Sequence, residues 1–448
     1  MQMLEYFPKD TFLFVINAIL YIITLSFFYR MNKKSVGFFL MILYTISAIL
    51  AIVYFAIYAS INNEVYNLDI KSFLYLYFCI MIGLWPFVKL KSISNISIGD
   101  NEYRLFVYLV YLVIVISIEP FIENFILLFK PHDSYQLHID VVEGELKIYS
   151  SLANRLNTYS IHFRSFIPIA TIIIYKIKES PVLLKYGILI PNINYLLIGY
   201  NTGTRGNIVC YIMMVICVYI FSITIFSKSQ RRIILKRSVG FCVILLFMFI
   251  TITSSRLEGY SSSSSSVDMT MNVYLLQYAA EGQVLFNAEI WDNLPNTNGD
   301  VNFCFYKKLL GMKTYTTYRE REDYYIAKNG MRIEVFRTYV GDFISDLGYM
   351  GGLIFCLIIT FFVYRFYNDG NMTIPSLMLF TNLLQLYGIG FASNVYRDYS
   401  MSKGFFIILM VACLFSFVRK NSNQFILIKN EDTSFNSNVL RSRKSNRR

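Results

Sequence analysis

Ser255-Arg-Leu-Glu-Gly-Tyr-Ser-Ser-Ser-Ser-Ser-Ser-Val-Asp268 opens a polar stretch that runs to Gly341 and interrupts a chain that is otherwise apolar. On either side of it, long apolar runs alternate with short charged connectors. A mean hydropathy of +0.47, with 55% hydrophobic and only 16% charged residues over 448 positions, excludes a soluble globule. The apolar runs are therefore measured against a hydrocarbon core about 30 Å thick, which about 20 helical residues cross. Eleven runs qualify, beginning near Thr11, Val36, Ser72, Leu105, Phe166, Val182, Asn207, Val239, Leu347, Thr373 and Gly404; the fifth, Phe166 to Tyr175, is short. The expected fold class is an all-α polytopic membrane protein with about eleven transmembrane helices and two long extracytoplasmic loops, the larger partly helical.

The expected organisation follows from these runs. Residues 1–129 hold the N-terminal transmembrane helices, and 130–163 form a first outer loop with an amphipathic helix. Residues 164–254 hold the central transmembrane helices, and 255–341 form the large outer loop. Residues 342–420 hold the C-terminal transmembrane helices, and 421–448 a basic tail. Arg30, Lys33 and Lys34, then Lys89, Lys91 and Arg104, then Lys176, Lys178 and Lys185, then Lys228 to Arg237, Arg365, and the tail from Arg419 all fall on one side. That side carries the larger share of the 41 lysines and arginines and few of the 29 acidic residues. By the positive-inside rule it is cytoplasmic, which puts the N-terminus outside and the C-terminus inside. The tail reads as a topology signal and an anchor to anionic headgroups, so no nucleic-acid partner is expected. Glu5 and Asp10 stand where a cleavable signal would be basic, so no such signal is expected.

Six of the seven cysteines lie in apolar runs, where a thiol behaves as a small apolar side chain. Cys304 alone lies in the large loop, and no structural disulfide is expected. No CxxC, HExxH, Walker-type or GxGxxG pattern occurs, so neither a metal nor a nucleotide cofactor is expected.

A large outer loop is costly to translocate and unnecessary for a simple pore, so recognition or chemistry is expected at the outer mouth of the helices. The first loop holds all three histidines, His132, His138 and His162. In its second half Leu152, Leu156, Tyr159 and Phe163 recur at helical spacing, which predicts a helix lying apolar face down on the membrane surface. Arg155 and His162, seven apart, would share a stripe beside that face. The plainer reading is an interfacial helix with snorkelling charges; the sharper one gives His162 proton transfer and Arg155 a phosphate contact. In the large loop, Ser261 to Ser266 reads as a flexible connector. Met269 to Ile290 reads as a helix with Val273, Leu276, Ala280 and Val284 on its apolar face, ended by the turn formers of Trp291 to Gly299. Further on, eight lysines and arginines from Lys307 to Arg337 interleave with tyrosines, a composition suited to a ligand with sugar faces and phosphate charge.

The sharpest short motif is Thr202-Gly-Thr-Arg-Gly206, between two apolar runs at the expected outer surface. Gly203 and Gly206 would allow a tight, closely approached turn. The free N–H groups of the helix that follows would add to the charge of Arg205, making an anion site at headgroup depth. The plainer reading is that Arg205 anchors the helix end.

Apolar run, Thr-Gly-Thr-Arg-Gly, apolar run, then a large outer loop ending Thr338-Tyr-Val-Gly-Asp-Phe-Ile-Ser-Asp-Leu-Gly-Tyr-Met-Gly351 before another helix: this layout resembles the Wzy-type O-antigen polymerases. Those usually show Gly-Ser-Arg-Gly at the first place and an Asp-Phe-Gly-x-x-Gly-like run at the second; here Thr204 replaces the Ser and Leu347 the Phe. The layout covers most of the chain, and the motifs a short part of it. The resemblance implies a glycosyltransferase of the bacterial inner membrane, active on its periplasmic side. It would transfer a chain held on undecaprenyl pyrophosphate en bloc to a newly flipped lipid-linked repeat unit, next to a flippase and a chain-length regulator of the same pathway. Arginines that neutralise the leaving pyrophosphate would make a cofactor unnecessary. Arg205 and Arg337, with Arg332 and Arg155 behind them, are the candidate pyrophosphate ligands. The base for the acceptor hydroxyl would be Asp342, Asp346 or His162, and the residues do not choose among them. Asp346 has the alternative role of capping the helix that follows. Glu119 and Glu123 flank Pro120 near the outer end of the fourth run. An O-antigen ligase and a flippase of lipid-linked oligosaccharide remain as alternatives.

Overall fold

A computed structural model describes residues 11–62, 68–90, 92–129, 149–177, 180–202, 204–263, 271–333, 336–366, 370–422 and 425–429. His132, His138, most of the basic tail and Gly203 lie outside them. In chain order the elements begin with α1 (Thr11–Asn32), α2 (Val36–Asn62), α3 (Ile70–Lys89), β1 (Asn95–Gly99) and α4 (Asp100–Leu127). The middle comprises α5 (Ser151–His162), α6 (Ile167–Lys176), α7 (Val182–Gly187), α8 (Leu189–Asn201), α9 (Arg205–Ser222) and α10 (Lys228–Ser263). Then come α11 (Met271–Leu285), α12 (Cys304–Leu309), α13 (Tyr318–Asn329), α14 (Thr338–Phe366), β2 (Asn371–Met372), α15 (Ile374–Gly388), α16 (Tyr399–Lys420) and β3 (Phe425–Lys429). Eight helices among the described residues are long and apolar enough to cross a membrane: α1 to α4, α7 with α8 as one span, α9, α14 and α16. The chain is an all-α polytopic membrane protein. The short fifth run is the ten-residue α6, and α10 and α15 cover the remaining two run positions.

Helix ends follow local chemistry. Asp69 caps α3 by accepting from Lys71 N at 2.9 Å, and Ser150 caps α5 by accepting from Ala153 N at 3.1 Å. Ser227 and Gln230 form a reciprocal box at the start of α10: Gln230 N donates to Ser227 Oγ and Ser227 N to Gln230 Oε1. With that start, α10 runs through its basic first turns and onward to Ser263. The expected serine connector therefore begins as helix: Ser261 to Ser263 belong to α10, and Ser264 to Ser266 lie outside the described residues. Gly348 (φ 69°, ψ 176°) breaks α14, a conformation that glycine tolerates and a side chain does not.

The chain forms two compact units. The first comprises residues 1–90, 264–366 and 386–402. In it α11 packs on α1 to α3, with Phe14, Ala51, Tyr54, Phe55, Phe73, Ala280 and Val284 in one cluster. Polar pairs fix the register: Asn17 Nδ2 donates to Gln283 Oε1 at 3.0 Å, and Ser72 Oγ to Asn287 Oδ1 at 2.7 Å. Each such bond contributes about 1 kcal/mol net, so the pairs set orientation more than stability.

The second unit comprises residues 91–263, 367–385 and 403–448. Asn124 is its polar centre, donating to Asn194 Oδ1 at 3.0 Å and accepting from Tyr149 OH at 2.6 Å and Asn201 Nδ2 at 2.9 Å. Glu123 accepts from Ser150 N, so it holds the start of α5. A three-stranded sheet in the order β2-β1-β3 was not expected. β1 comes from a connector read only for its charges, and β3 from the region read as a basic tail. Arg419 bridges them to α4, donating to Ser97 O at 2.6 Å and pairing with Glu102 at 2.9 Å.

Candidate functional site

The first unit gathers three of the expected site residues, Arg337, Asp342 and Asp346, around the start of α14. Thr338, which opens that helix, has φ 64° although it is β-branched. This costs of order 1–3 kcal/mol and persists only where surrounding bonds over-determine it. Here Arg337 N and Thr338 N both donate to Ala392 O, at 3.0 and 2.8 Å, and Tyr339 N donates to Gly390 O at 2.9 Å. The strained turn locks Arg337 and Asp342 against residues 390–397, the link between α15 and α16.

Asp342 is fully buried. Its Oδ2 accepts from Asn394 N at 2.7 Å, and its Oδ1 lies 3.7 Å from both Arg337 Nε and Arg397 Nη1. Arg337, also fully buried, donates from Nη1 to Ser345 Oγ at 3.1 Å and from Nη2 to Arg332 O at 3.2 Å. A third buried guanidinium, Arg321, donates to Asp300 O at 3.0 Å and Arg397 O at 3.2 Å. The ring of Tyr318 lies 5.3 Å from the Arg321 guanidinium and 5.9 Å from that of Arg397. Asp300 in turn holds Lys307 at 2.5 Å and accepts from Tyr325 OH at 2.9 Å. Burying a charge costs several kcal/mol, so three interior guanidiniums are a weak device for stability and a strong one for holding positive charge in a set place.

Asp346 does not cap the helix that follows it. Its carboxylate accepts from Gly299 N (2.9 Å), Val301 N (3.2 Å), Asn302 N and Asn302 Nδ2 (both 2.7 Å), and from Thr297 Oγ1. Asn296, Asn298 and Gly299 take positive φ values of 47°, 50° and 88°, which curl residues 297–302 so that successive N–H groups converge on one anion. The turn formers of Trp291 to Gly299 thus end a helix and also build this nest. Asn302 ties the Asp346 carboxylate to the backbone of Asp342: its Nδ2 also donates to the Asp342 carbonyl oxygen at 2.6 Å, while its Oδ1 accepts from Asn394 Nδ2 at 2.6 Å. With five donors on it, Asp346 organises the loop.

Arg332 has a side chain 74% exposed and lies 3.5 Å from Glu322. Its backbone carbonyl serves Arg337, and its own charge faces solvent.

Arg155, His162 and Arg205 belong to the second unit. In α5 the buried positions are Ala153, Asn157, Ser160 and His162, while Leu152 and Tyr159 are more than half exposed. The small and polar face meets α4 and α8 through Ser117 with Ser160, and Asn194 with Asn157; the apolar stripe points outward. Arg155 is exposed and His162 is 3% exposed, so the two do not share a working stripe. The reason lies at the end of the helix: Gly404 leaves room for His162, since a Cβ there would come within 3.1 Å of His162 Cα.

Arg205 opens α9, with Thr204 Oγ1 accepting from Asn207 Nδ2 at 3.1 Å. The expected close approach at Gly206 is absent: a Cβ there would meet nothing within 4 Å. The tight contact is at Gly199, where Ile208 Cγ1 would lie 2.5 Å from an added Cβ.

The sequence reading missed Arg397, Asn302, Asn394 and Arg164. Arg397 stood in plain view as a cation in the short link Asn394-Val-Tyr-Arg-Asp398 between two apolar runs. Arg164, 4% exposed in the second unit, donates from Nε to the Gln385 amide oxygen at 2.8 Å in the amide orientation that satisfies both groups. Among the described residues, no group of three or more His, Cys, Asp or Glu is placed to hold a metal ion. Comparison of the chain with protein-family models, curated proteins and solved structures yields no match.

Proposed function

We propose that this chain is a membrane glycosyltransferase that polymerises oligosaccharide repeat units carried on a polyprenyl pyrophosphate, at the outer face of the bacterial inner membrane. One observation carries the reading. Arg337 and Arg397 are interior guanidiniums held on a single carboxylate, Asp342, at the foot of a polar segment between membrane helices. Glycosyl transfer from a lipid pyrophosphate breaks the bond between the anomeric carbon and a phosphate oxygen, and charge builds on the departing pyrophosphate. Preorganised guanidiniums in a dry setting stabilise that charge without rearranging, and their planar forks suit phosphate oxygens. Asp342 and the Asp346 nest keep the cations in place between turnovers. The resemblance of Thr202 to Gly206 and of Asp342 to Gly351 to motifs of the Wzy-type polymerases supports the same reading.

The test is the surface polysaccharide profile of a deletion strain, resolved on a gel. Loss of a polymerase leaves core capped by a single repeat unit. Bare core with long chains stranded on lipid would instead assign the chain as a ligase. Bare core without outer-face intermediates would assign it as a flippase.

A further inference from the structure

Glu281 is a buried carboxyl in the first unit that the charge network above does not use. It lies on α11, outside the membrane-crossing helices, and is 7% exposed. One oxygen accepts from Gln277 Nε2 at 3.0 Å. Among the described residues it forms no ion pair. Charged and titratable groups nevertheless act on it through space: Arg397 from the site, the exposed Arg332, Glu289 from the turn after α11, and the Tyr54 phenol from α2. That turn, Phe286–Ile290, is a π-type insertion, with Trp291 N bonding back to Phe286 O at 3.1 Å, a feature that recurs at functional sites.

The neighbouring residue fixes where Glu281 stands. A Cβ at Gly282 would lie 2.5 Å from Phe391 O, 2.8 Å from Ala392 O and 3.1 Å from Thr338 N. The backbone of α11 therefore touches the segments that carry Arg337, Asn394 and Arg397. Tyr278, three residues before Glu281 and four before Gly282, packs its ring on that of Phe336 at 5.1 Å, so Glu281 shares the face of α11 that is turned to the segment carrying Arg337.

We propose that Glu281 is the catalytic base that deprotonates the acceptor sugar hydroxyl, an assignment that rests on the polymerase reading above. Asp342 is committed to two arginines and Asp346 to five donors, whereas Glu281 has one amide partner. Burial raises its carboxyl to about 7, against the lowering effects of the Gln277 hydrogen bond, Arg332 and Arg397 and with a further rise from Glu289. A base in that range keeps a usable ionised fraction at neutral pH and is strong enough to accept a proton as the hydroxyl attacks. In the step, the acceptor oxygen bonds to the anomeric carbon of the lipid-linked donor. The bond from that carbon to the pyrophosphate oxygen breaks, and its electron pair leaves with the lipid pyrophosphate. The hydroxyl proton passes to Glu281 and from there to water.

The experiment uses the full chain in proteoliposomes with lipid-linked repeat units as donor and acceptor, from pH 5.5 to 8.5. The wild-type rate is expected to fall as pH drops through about 7, because the carboxylate takes up a proton there. Glu281→Gln should slow elongation about a hundredfold or more and erase that limb, while still binding the lipid-linked substrate. Glu281→Asp should keep part of the rate with a displaced limb. A flat wild-type profile, or Glu281→Gln elongating near the wild-type rate with the same limb, overturns the assignment. The wild-type profile needs no variant, so the assignment stays testable if Glu281→Gln fails to fold. Wild-type protein that binds the substrate and never elongates it would overturn the polymerase reading itself, a distinct result.

Discussion

Replacing Asp346 by Asn separates an organiser from a base. The carboxylate accepts five hydrogen bonds, three of them from the backbone N–H groups of Gly299, Val301 and Asn302. A hydrogen bond to a charged group contributes about 1.5–3 kcal/mol. Asp346→Asn keeps one carbonyl acceptor, removes the charge, and turns an NH2 group toward donors that need an acceptor. Because the remaining bonds rearrange and are not additive, the loss should be about 3–5 kcal/mol, the scale of removing one partner from a buried charged network. That loss should fall on residues 291–302 first. At about 1.4 kcal/mol per decade, the open form of the segment becomes at least a hundredfold more populated. Limited chymotrypsin digestion of the purified protein measures it, with cuts at Trp291 and Phe303 expected to appear in the variant well before the membrane helices unfold. If opening and closing are fast relative to cleavage, the cutting rate follows the open population. Digestion indistinguishable from wild type, together with abolished elongation, would refute the organising role and return Asp346 to the list of bases.

Other outcomes follow from the same residues. A reporter fused after Arg237 should read cytoplasmic and one fused near Asn298 should read extracytoplasmic; the same side for both would break the orientation read from charge. Elongation should proceed without ATP and in excess EDTA, and strict dependence on a divalent ion would refute an arginine-only account of the leaving group. Arg205→Lys should insert normally yet give mostly single-repeat product, because an ammonium lacks the bidentate fork; near-normal long chains would make Arg205 an anchor. Arg256→Ala should keep long chains at near-wild-type levels on the same gel, and their loss would extend the functional region to the start of the polar stretch.

Run length was enough to place the apolar helices: all eleven runs fall on helix, and eight helices among the described residues are long and apolar enough to cross a membrane. In a lipid core every backbone N–H and C=O must be satisfied within its own segment, so an apolar run of sufficient length has one outcome whatever surrounds it. Local signals such as Asp69, Ser150 and the Ser227–Gln230 box are likewise readable, because each cap acts within a few residues. Arg337, Asp342 and Asp346 could be singled out because they crowd one stretch before an apolar run. Their partners could not. Asp342 meets Arg397 and Asn394 from the link before α16, and Asp346 gathers the N–H groups of 299, 301 and 302. Such pairings join segments distant in sequence, and no periodicity records them. The outward turn of the apolar face of α5, the burial of His162 against Gly404 and the pairing of β1 with β3 have the same origin. Each depends on the shape and hydrogen-bonding needs of a neighbour that the chain supplies from elsewhere, and so only the tertiary structure decided them.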